Sequence, residues 1–466
     1  MWSRSASSDL PLYKQVIKLI EDNIASGALA PSERLPAERT LSQYLELNRT
    51  TVVRALSELE DRGVLIRRRG SGTYVNSEKW GVQSYATLNW QGPSALMLTK
   101  KEVAFHRAAA NMREEAVRSK MRFDDLSGDD IAPDLLPRVV LPHGAWEEAI
   151  RAEQGSVADC LGLPSLRQSV QRFLRETSGL SVPLEEILIT SGSRQAIFLI
   201  TQCLLRPGDA VGVEAPSYFY SLPIFQAAGL RLFALPMDDN GITLQGLEDL
   251  ARRRSLKMIF LNPVFHNPTG TVMRDTRKKA VLELCAKMRL PIVEDDAYSL
   301  LSFGTQRDLS PIKSWDTQNQ VMYAGSLSSY AGRGIRAGWL VAPQSVIRRL
   351  ADVRLMMDAG LSVLPQVLAK EYLDREVAAH LQELRAALAL RAEKLTAHLR
   401  RIFGSQLVST PPPGGLYCYV SMRESEDAAY EFMQQEFLRN GILPALGESF
   451  GDPEKSFRLN HSLFIG

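Results

Sequence analysis

The first 75 residues show the hydrophobic spacing of a small helical domain followed by a hairpin. Apolar residues recur at helical spacing through residues 13–25 and 49–62, and a shorter helix is predicted at residues 37–45. Residues 64–75 alternate apolar and polar positions around a Gly-Ser-Gly turn, which is typical of a β-hairpin. A helix, a helix–turn–helix pair and a hairpin together predict a winged helix-turn-helix.

Beyond residue 122 the pattern changes to short apolar runs separated by helical stretches. Strands are predicted at residues 187–190, 210–213, 256–261, 290–294, 320–323 and 338–342. Helices are predicted at residues 166–176, 194–204, 221–228 and 274–288. This alternation predicts an α/β body with a mainly parallel, doubly wound sheet, and ligands of such sheets bind beyond the carboxyl ends of the strands.

Between these two bodies, residues 76–122 show no clear strand or turn rhythm. Residues 101–121 are rich in Ala, Glu, Lys and Arg and are predicted to be helical. A structureless stretch of this length inside one compact domain would be unusual. We therefore interpret residues 76–122 as a linker that contains a helix.

The composition indicates a folded protein of several domains but does not indicate a binding partner. The chain has 466 residues, 45% of them hydrophobic and 23% charged, and a formal net charge of +2, so a disordered chain is excluded and several domains are expected. Four scattered cysteines without a CxxC pair indicate free thiols, and six dispersed histidines predict no metal site. With no signal peptide and no long apolar run, we expect a cytoplasmic protein without a membrane span.

The predicted third helix begins with Asn48-Arg-Thr-Thr51, the residues that would meet DNA. Helix-end N–H groups and the hydroxyls of Thr50 and Thr51 suit phosphate, and Arg49 suits a guanine edge. The predicted wing carries Arg67, Arg68 and Arg69. Three arginines alone would indicate a solvated face, but directly after a helix-turn-helix they favour a groove or phosphate contact.

This segment is similar to the GntR-family DNA-binding domain. The matching runs are Pro11-Leu-Tyr13, Arg34-Leu-Pro-Ala-Glu-Arg39, Arg49-Thr-Thr-Val52 and Gly70-Ser-Gly-Thr-Tyr-Val75. The resemblance implies a double-stranded DNA operator as partner and an oligomer, with DNA contacts from Arg39, Arg49, Thr50, Thr51 and Gly70.

The stretch of residues 323–339, YAGSLSSYAGRGIRAGW, combines small hydroxyl residues with glycines and arginines. Hydroxyls and backbone N–H groups bind phosphate, glycine allows close approach, and arginine balances the charge. Ser326, Ser328 and Arg336 are therefore candidate phosphate-binding residues.

Polar residues also follow other predicted strands. Ser191-Gly-Ser193 opens a helix, which suits an anion but equally suits a simple helix cap. Tyr218 follows the next strand, and its ring could stack on a planar ligand, although packing alone explains such a tyrosine as well. Asn267 lies on an Asn-Pro-Thr-Gly turn. Asp295 and Asp296 end a very apolar strand, and a buried carboxylate implies a cationic partner, for which a protonated pyridine nitrogen would serve.

As a set, these motifs resemble the class I/II aminotransferases, which are fold-type I enzymes dependent on pyridoxal phosphate (PLP). The matches are Gly162-Leu-Pro-Ser-Leu-Arg167, Ser191-Gly-Ser-Arg-Gln195, Pro216-x-Tyr218, Asn267-Pro-Thr-Gly270, Asp295-x-Ala-Tyr298, the Ser326 loop, Gly414-Gly-Leu-Tyr417 and Phe457-Arg-Leu-Asn460. The resemblance implies PLP phosphate contacts from Ser193, Ser326 and Arg336. It further implies Tyr218 over the ring, Asn267 and Tyr298 at the ring oxygen, Asp295 at the ring nitrogen, and Arg458 on a substrate carboxylate.

A GntR domain joined to such a body is the arrangement of MocR-type regulators, in which an amine, an amino acid or PLP is sensed and DNA binding changes. We therefore predict a homodimer that regulates transcription. The predicted domains are the DNA-binding domain at residues 1–75, the linker at 76–122, an aminotransferase-like large domain at 123–345, and an α+β small domain at 346–466 that lacks the closing helix of relatives.

One position departs from the aminotransferase pattern in a decisive way. Ser329 occupies the place of the lysine that forms a Schiff base with PLP and moves the substrate's α-proton, so we predict a protein without transaminase activity. Arg194, Arg333 and Val157 also depart from the pattern.

Three interpretations follow. In the one we favour, Ser193, Ser326, Arg336 and Asp295 bind PLP or a PLP–amine adduct non-covalently. In the second, Arg194 and Arg333 add charge for a different anionic effector. In the third, an enzyme obtains its lysine from elsewhere.

Overall fold

The computed structural model describes residues 10–25, 29, 33–62, 64–68, 71–76, 109–110, 112–114, 116–119, 122–145, 147, 150–151, 160–304, 307–358, 360–408, 411–422, 427–452 and 455–466. The chain divides into two compact units, residues 1–111 and 112–466. The described residues include no helix that is both long enough and apolar enough to cross a membrane.

The first unit is the winged helix-turn-helix that the sequence predicts. Its elements are α1 (Leu12–Ala25), α2 (Glu38–Leu45), α3 (Arg49–Asp61), β1 (Leu65–Arg68) and β2 (Gly72–Val75). The strands β1 and β2 pair as an antiparallel hairpin. The helices bury one apolar stripe each, including Ile20, Leu41 and Leu56, which are at most 1% exposed. Asn48 caps α3, because its side chain accepts a hydrogen bond from the Thr50 N–H.

The second unit is built on an eight-stranded sheet of order β4-β11-β10-β9-β8-β5-β6-β7. Its strands are β4 (Ile187–Thr190), β5 (Ala210–Ala215), β6 (Arg231–Asp238), β7 (Gly241–Ile242), β8 (Met258–Leu261), β9 (Ile292–Asp296), β10 (Val321–Ser326) and β11 (Gly338–Val341). The pairs from β10 through β9, β8 and β5 to β6 are parallel, whereas β4, β7 and β11 join antiparallel. The predicted mainly parallel sheet is confirmed.

Apolar residues cover both faces of this sheet, which explains its continuous hydrophobic strands. Along β11, Trp339 and Val341 pack in one core and Leu340 packs in the core on the other face. The helices of the unit are α4 (Pro164–Ser178), α5 (Ser193–Leu204), α6 (Pro223–Ala227), α7 (Leu244–Arg254), α8 (Asp275–Met288), α9 (Ser328–Ala331), α10 (Gln344–Asp358), α11 (Val363–Glu371), α12 (Val377–Phe403) and α13 (Asp427–Arg439).

The carboxyl-terminal part of the chain forms a second, smaller sheet. Its order is β12-β13-β16-β15, with β12 (Leu407–Val408), β13 (Tyr417–Met422), β15 (Ala445–Leu446) and β16 (Phe457–Asn460) paired antiparallel. The strand β3 (Asp124–Asp125) pairs with β14 (Ile442–Leu443). The segment around residue 125 is therefore held against the carboxyl-terminal part of the unit.

The junction of β4, β10 and β11 depends on a glycine. A side chain added to Gly338 would place its Cβ 2.6 Å from the Gly325 carbonyl oxygen and 2.8 Å from the Gly192 Cα. Both neighbours are backbone atoms, so neither can rotate away. This close packing brings the ends of the three strands together, and the residues discussed below lie at these ends.

We expect Gly338→Ala to lower the free energy of unfolding of the second unit by about 1–3 kcal/mol, because the methyl group would force strands apart. The thermal midpoint, followed by circular dichroism, measures this loss. Gly334→Ala is the matched control, since a Cβ there meets nothing within 4 Å. Equal midpoints for the two variants would contradict the packing argument.

Candidate functional site

A hydroxyl-lined cluster lies where β10 ends and α5 begins. Ser326 is the last residue of β10, and its Oγ accepts a hydrogen bond of 3.2 Å from the Ser328 N–H. A Cβ built on Gly192, just before α5, would lie 3.6 Å from the Ser326 Oγ and 3.8 Å from the Ser328 Oγ. A helix N-terminus beside two hydroxyls is an arrangement that binds phosphate. We call Gly192, Ser193, Ser326, Ser328 and Arg336 the phosphate cluster.

Two members of the predicted loop differ in their surroundings. Arg336 is exposed and forms no hydrogen bond or ion pair with any residue that the structure describes. Ser329 is buried, 8% exposed, in the short helix α9, and among the described residues its hydroxyl has no hydrogen-bond partner. The loop thus combines a free guanidinium with a buried hydroxyl.

The two acidic residues at the end of β9 face opposite sides, as alternation along a strand requires. The Asp296 carboxylate accepts hydrogen bonds from the Tyr323 hydroxyl at 2.9 Å and the Ser299 hydroxyl at 2.8 Å. The Asp295 carboxylate accepts a hydrogen bond from the Tyr218 hydroxyl through Oδ2, and its buried Oδ1 lacks a partner among the described residues. Asp295 is thus the carboxylate on the side of Tyr218.

Burial dominates the electrostatics of this carboxylate. It raises the pKa of Asp295 to about 6, although hydrogen bonds from Tyr218 and Ser193 act in the opposite direction. The ionised form is therefore stabilised less than in water and gains from a cationic partner.

Asn262 fixes the backbone around this carboxylate. Its Nδ2 donates to the Asp295 carbonyl at 2.8 Å, and its Oδ1 accepts from the Asn267 N–H at 2.7 Å. The Asn267 side chain lies 3.4 Å from the Tyr298 hydroxyl, which is 3.2 Å from the Tyr417 hydroxyl. The ends of β8 and β9 thus present Asn267, Tyr298 and Asp295 as one group.

Arg458 on β16 lies on the other side of Asn267. Its guanidinium is buried between the rings of Tyr417 and Phe450, whose centroids are 4.3 and 4.6 Å from Cζ. One terminal nitrogen donates to the Asn267 Oδ1 at 2.9 Å, and the other donates to the Ser127 carbonyl at 2.8 Å. Stacking and hydrogen bonding therefore fix the guanidinium in one orientation.

Asp129 pairs with Arg458 and Arg194 together. Its Oδ1 lies 2.8 Å from Arg458 and its Oδ2 lies 2.7 Å from Arg194. Burial opposes ionisation, but the two arginines hold the pKa of Asp129 below its usual value. The next residue, Asp130, pairs with Arg333. The two arginines that were expected to add positive charge are thus each paired with an acid.

Sequence reasoning did not identify Asp129 or Asp130. The available signal was a pair of acids directly after Gly128, in a chain whose strand ends carry arginines. It also did not anticipate that the Tyr218 hydroxyl would contact Asp295. The structure brings Ser326 and Ser328 beside Gly192. It also brings Tyr218 to Asp295 and Asn267 to Tyr298, whereas Arg194 joins Arg458 through Asp129.

In the first unit, Glu38 connects two of the predicted DNA-contacting arginines. Arg49, 69% exposed, lies 3.1 Å from Glu38, and Arg67 lies 3.5 Å from its other oxygen. Arg39 and Thr50 are exposed, Thr51 is half-buried, and Arg68 lies over the Tyr74 ring. Arg69, Gly70 and Val157 lie outside the described residues.

Comparison with known proteins agrees with both units. Sequence models of the bacterial regulatory proteins of the gntR family and of aminotransferase class I and II match residues 12–75 and 139–462. The chain is 33% identical over 468 residues to YisV of Bacillus subtilis strain 168, an HTH-type transcriptional regulator, with 99% of this chain and 94% of YisV covered. The chain belongs to the MocR-like HTH-type transcriptional regulators.

This MocR-like regulator is also 28% identical over 436 residues to the HTH-type regulator NorG of Staphylococcus aureus strain USA300, covering 92% of this chain and 95% of NorG. Its body is similar to the crystal structure of Pyrococcus horikoshii kynurenine aminotransferase in complex with PMP. That similarity has a TM-score of 0.66 and 26% identity, over 80% of this chain and 92% of the enzyme chain. The fold of the regulator is therefore a winged helix-turn-helix joined to a fold-type I aminotransferase body.

The raised pKa of Asp295 predicts that this carboxyl lowers the free energy of unfolding in a pH-dependent way. Because the folded protein holds a proton that the unfolded chain releases, Asp295 lowers stability as the pH rises from 3.8 to about 6. We therefore expect Asp295→Asn to gain stability relative to the unmodified protein across this window, by roughly 1–3 kcal/mol. Unfolding by urea at a series of pH values, without added ligand, measures the gain.

Asp316→Asn is the control for this measurement. Three backbone N–H groups and Lys313 hold the pKa of Asp316 below its usual value despite partial burial. The stability that ionised Asp316 contributes is lost only as the pH falls below the usual pKa of an aspartate. Above that pH, Asp316→Asn should therefore show a free energy of unfolding that is lower by a constant amount. A gain for Asp295→Asn that does not change with pH would be inconsistent with the burial of an ionisable carboxyl.

Proposed function

We propose that this regulator binds a double-stranded DNA operator as a homodimer, and that its body senses PLP or a PLP–amine adduct held without a covalent bond. The observation that carries the proposal is Ser329. A hydroxyl lies buried where the aminotransferase pattern has lysine, while the phosphate cluster and Asp295 beside it are retained. We infer a protein that binds and does not transaminate.

The residues present fit PLP by three separate features. The phosphate cluster offers a helix N-terminus, hydroxyls and the exposed Arg336. The buried Asp295 Oδ1 lacks a partner among the described residues, and it would accept a hydrogen bond from a protonated pyridine nitrogen. Asn267 and Tyr298 would meet the ring oxygen. When joined to a lysine, PLP supplies an electron sink for carbanion chemistry.

The lysine chemistry has no evident substitute in the described residues. A serine hydroxyl neither forms an imine nor moves an α-proton at useful rates. The buried amine of Lys278 donates to the carbonyls of Asp308 and Ser310, and Lys313 pairs with Asp316. Both amines are committed to structural contacts, which supports sensing over catalysis.

The alternative of a different anionic effector is weaker than the sequence suggested. It depended on Arg194 and Arg333 adding positive charge, but Arg194 pairs with Asp129 and Arg333 pairs with Asp130. Of these loop and helix arginines, Arg336 then remains without an ion pair among the described residues, and it is already needed for a phosphate.

The proposed DNA surface is the N-terminal end of α3 together with the hairpin. Arg49, Thr50 and Thr51 would enter the major groove, and Arg39 would contact phosphate. Glu38 holds Arg49 and Arg67 on one side of the unit before DNA is bound. The wing residues Arg68, Arg69 and Gly70 would complete the contact.

The body exposes an apolar surface that is a candidate for the dimer interface. The end of α10 exposes Leu355, Met356 and Met357, of which Met356 is 86% exposed. Three adjacent apolar side chains in water favour burial against a second copy of the chain. Two DNA-binding units in one molecule would then meet two operator half-sites.

We expect Arg49→Ala to weaken operator binding by about 1–3 kcal/mol at fixed salt, because a base contact is lost. Gel-shift titrations on operator and scrambled DNA measure the loss. Lys18→Ala on α1, an exposed residue of equal charge, is the control and should retain nearly all operator affinity. If Arg49→Ala bound the operator as tightly as Lys18→Ala, the assignment of α3 would be wrong.

We expect Ser329→Lys to form an imine with PLP that borohydride fixes, because the lysine then meets an otherwise complete site. Intact mass spectrometry should show one added phosphopyridoxyl group per chain. The unmodified protein and Ser329→Ala should bind PLP, seen by quenching of protein fluorescence, and should gain no mass. Borohydride labelling of the unmodified protein would overturn the proposal of non-covalent binding.

A further inference from the structure

We propose that Asp129 selects the ligand of the body by acting as a built-in carboxylate on Arg458. The preferred ligand class is then a phosphopyridoxyl amine that lacks an α-carboxylate, in preference to the corresponding amino acid derivative. This inference rests on the proposed binding of PLP derivatives and specifies which of them bind.

Both terminal nitrogens of Arg458 are already used by the chain itself, whereas its buried Nε has no hydrogen-bond partner among the described residues. One terminal nitrogen donates to the Asn267 Oδ1, and the other meets both the Ser127 carbonyl and the Asp129 carboxylate. A guanidinium binds a carboxylate best through two parallel N–H groups. Any such pair includes at least one terminal nitrogen, so an incoming carboxylate has to displace either Asn267 or the Ser127 carbonyl and Asp129 before the pair can form.

The segment that carries Asp129 is fixed by its backbone. The Asn460 side chain donates to the Gly128 carbonyl at 3.1 Å and to the Asp130 carbonyl at 2.6 Å. The Asn460 N–H donates to the Leu126 carbonyl at 2.8 Å. Since β16 holds the carbonyls on both sides of Asp129, the backbone of Asp129 stays in place and its carboxylate can leave Arg458 only by rotation of its own side chain.

Displacement would also separate Asp129 from its second partner. Arg194 lies 2.7 Å from the Asp129 Oδ2, and the Tyr417 hydroxyl lies 3.4 Å from Oδ1. The single carboxylate of Asp129 thus pairs with two guanidinium groups, and it also accepts a hydrogen bond from the Tyr417 hydroxyl. An added ligand carboxylate would leave either itself or Asp129 without a full set of donors in a half-buried site.

A ligand amine meets no such conflict. Asp129 is the carboxylate that lies beside Arg194 and Arg458 in this part of the site. A protonated amine on the pyridoxyl group adds positive charge near this carboxylate, whereas an α-carboxylate adds negative charge at a guanidinium that is already paired. The charge balance therefore favours an amine derived from a compound without a carboxylate.

Two stable adducts of PLP test this selection on the full chain. N-(5′-phosphopyridoxyl)-L-leucine carries the carboxylate, and N-(5′-phosphopyridoxyl)-3-methylbutylamine is the same compound without it. Their dissociation constants are measured by isothermal titration calorimetry. We expect the amine adduct to bind the unmodified protein at least about tenfold more tightly, the effect of one charge-assisted hydrogen-bond pair that cannot form.

Asp129→Asn should reduce this preference by about tenfold or more, because the donors of Arg458 become available to the leucine adduct. Asp130→Asn is the matched control, since it makes the same change one residue along, at the partner of Arg333, and should keep the preference. Should Asp129→Asn fail to fold, the ratio of the two dissociation constants in the unmodified protein still tests whether the amine adduct is preferred.

The outcomes separate this inference from the function on which it rests. Equal binding of both adducts, or tighter binding of the leucine adduct to the unmodified protein, would overturn the role of Asp129 and leave the binding of PLP derivatives intact. An unchanged preference in Asp129→Asn would also overturn it. If neither adduct nor PLP binds, the proposed sensing of PLP fails and this inference fails with it.

Discussion

The body is organised around the need to satisfy one buried guanidinium. Arg458 lies between two aromatic rings with 4% of its side chain exposed, and a charge in that position is costly without partners. Asp129 supplies the countercharge, and Asn267 and the Ser127 carbonyl accept hydrogen bonds from the two terminal nitrogens of Arg458. Through these contacts β16, the turn after β8 and the segment before residue 130 are held in one geometry.

This constraint also explains how the site can keep its shape whichever residue occupies position 329. The positions of Asp295, Asn267 and Tyr298 are set by Asn262, Arg458 and the strand ends, and none of these contacts involves residue 329. The supporting network therefore does not depend on the side chain at position 329. Specific binding can then serve regulation, provided that the two states of the body differ in affinity for the ligand.

The sequence predicts the fold well because each element carries a local signal. The winged helix-turn-helix follows from helical periodicity and a Gly-Ser-Gly turn, and the parallel sheet follows from apolar runs such as β8, which is buried throughout. The three-residue step from Asp295 to Tyr298 in the aminotransferase pattern also favours Asp295 over Asp296 at the ring nitrogen. These inferences depend on residues that are close in sequence, because their spacing along the chain determines which face of a helix or strand they share.

The pairing of charges could not be predicted in the same way. Asp129 and Arg194 are 65 positions apart, and nothing local links them. An acid directly after a glycine is compatible with a turn, a cap or a solvated face, so only the fold reveals that Asp129 pairs with two arginines. The contact of the Tyr218 hydroxyl with Asp295 is equally non-local, because it joins the ends of two different strands.

The central claim is that the body senses a PLP derivative and communicates this to the DNA-binding unit. The affinity of the full chain for its operator at fixed salt, measured with and without saturating PLP, tests it most directly. We predict that PLP changes this affinity severalfold and reversibly on dialysis, and that operator DNA changes the affinity for PLP by the same factor. An operator affinity that stays the same when PLP is demonstrably bound would contradict the account.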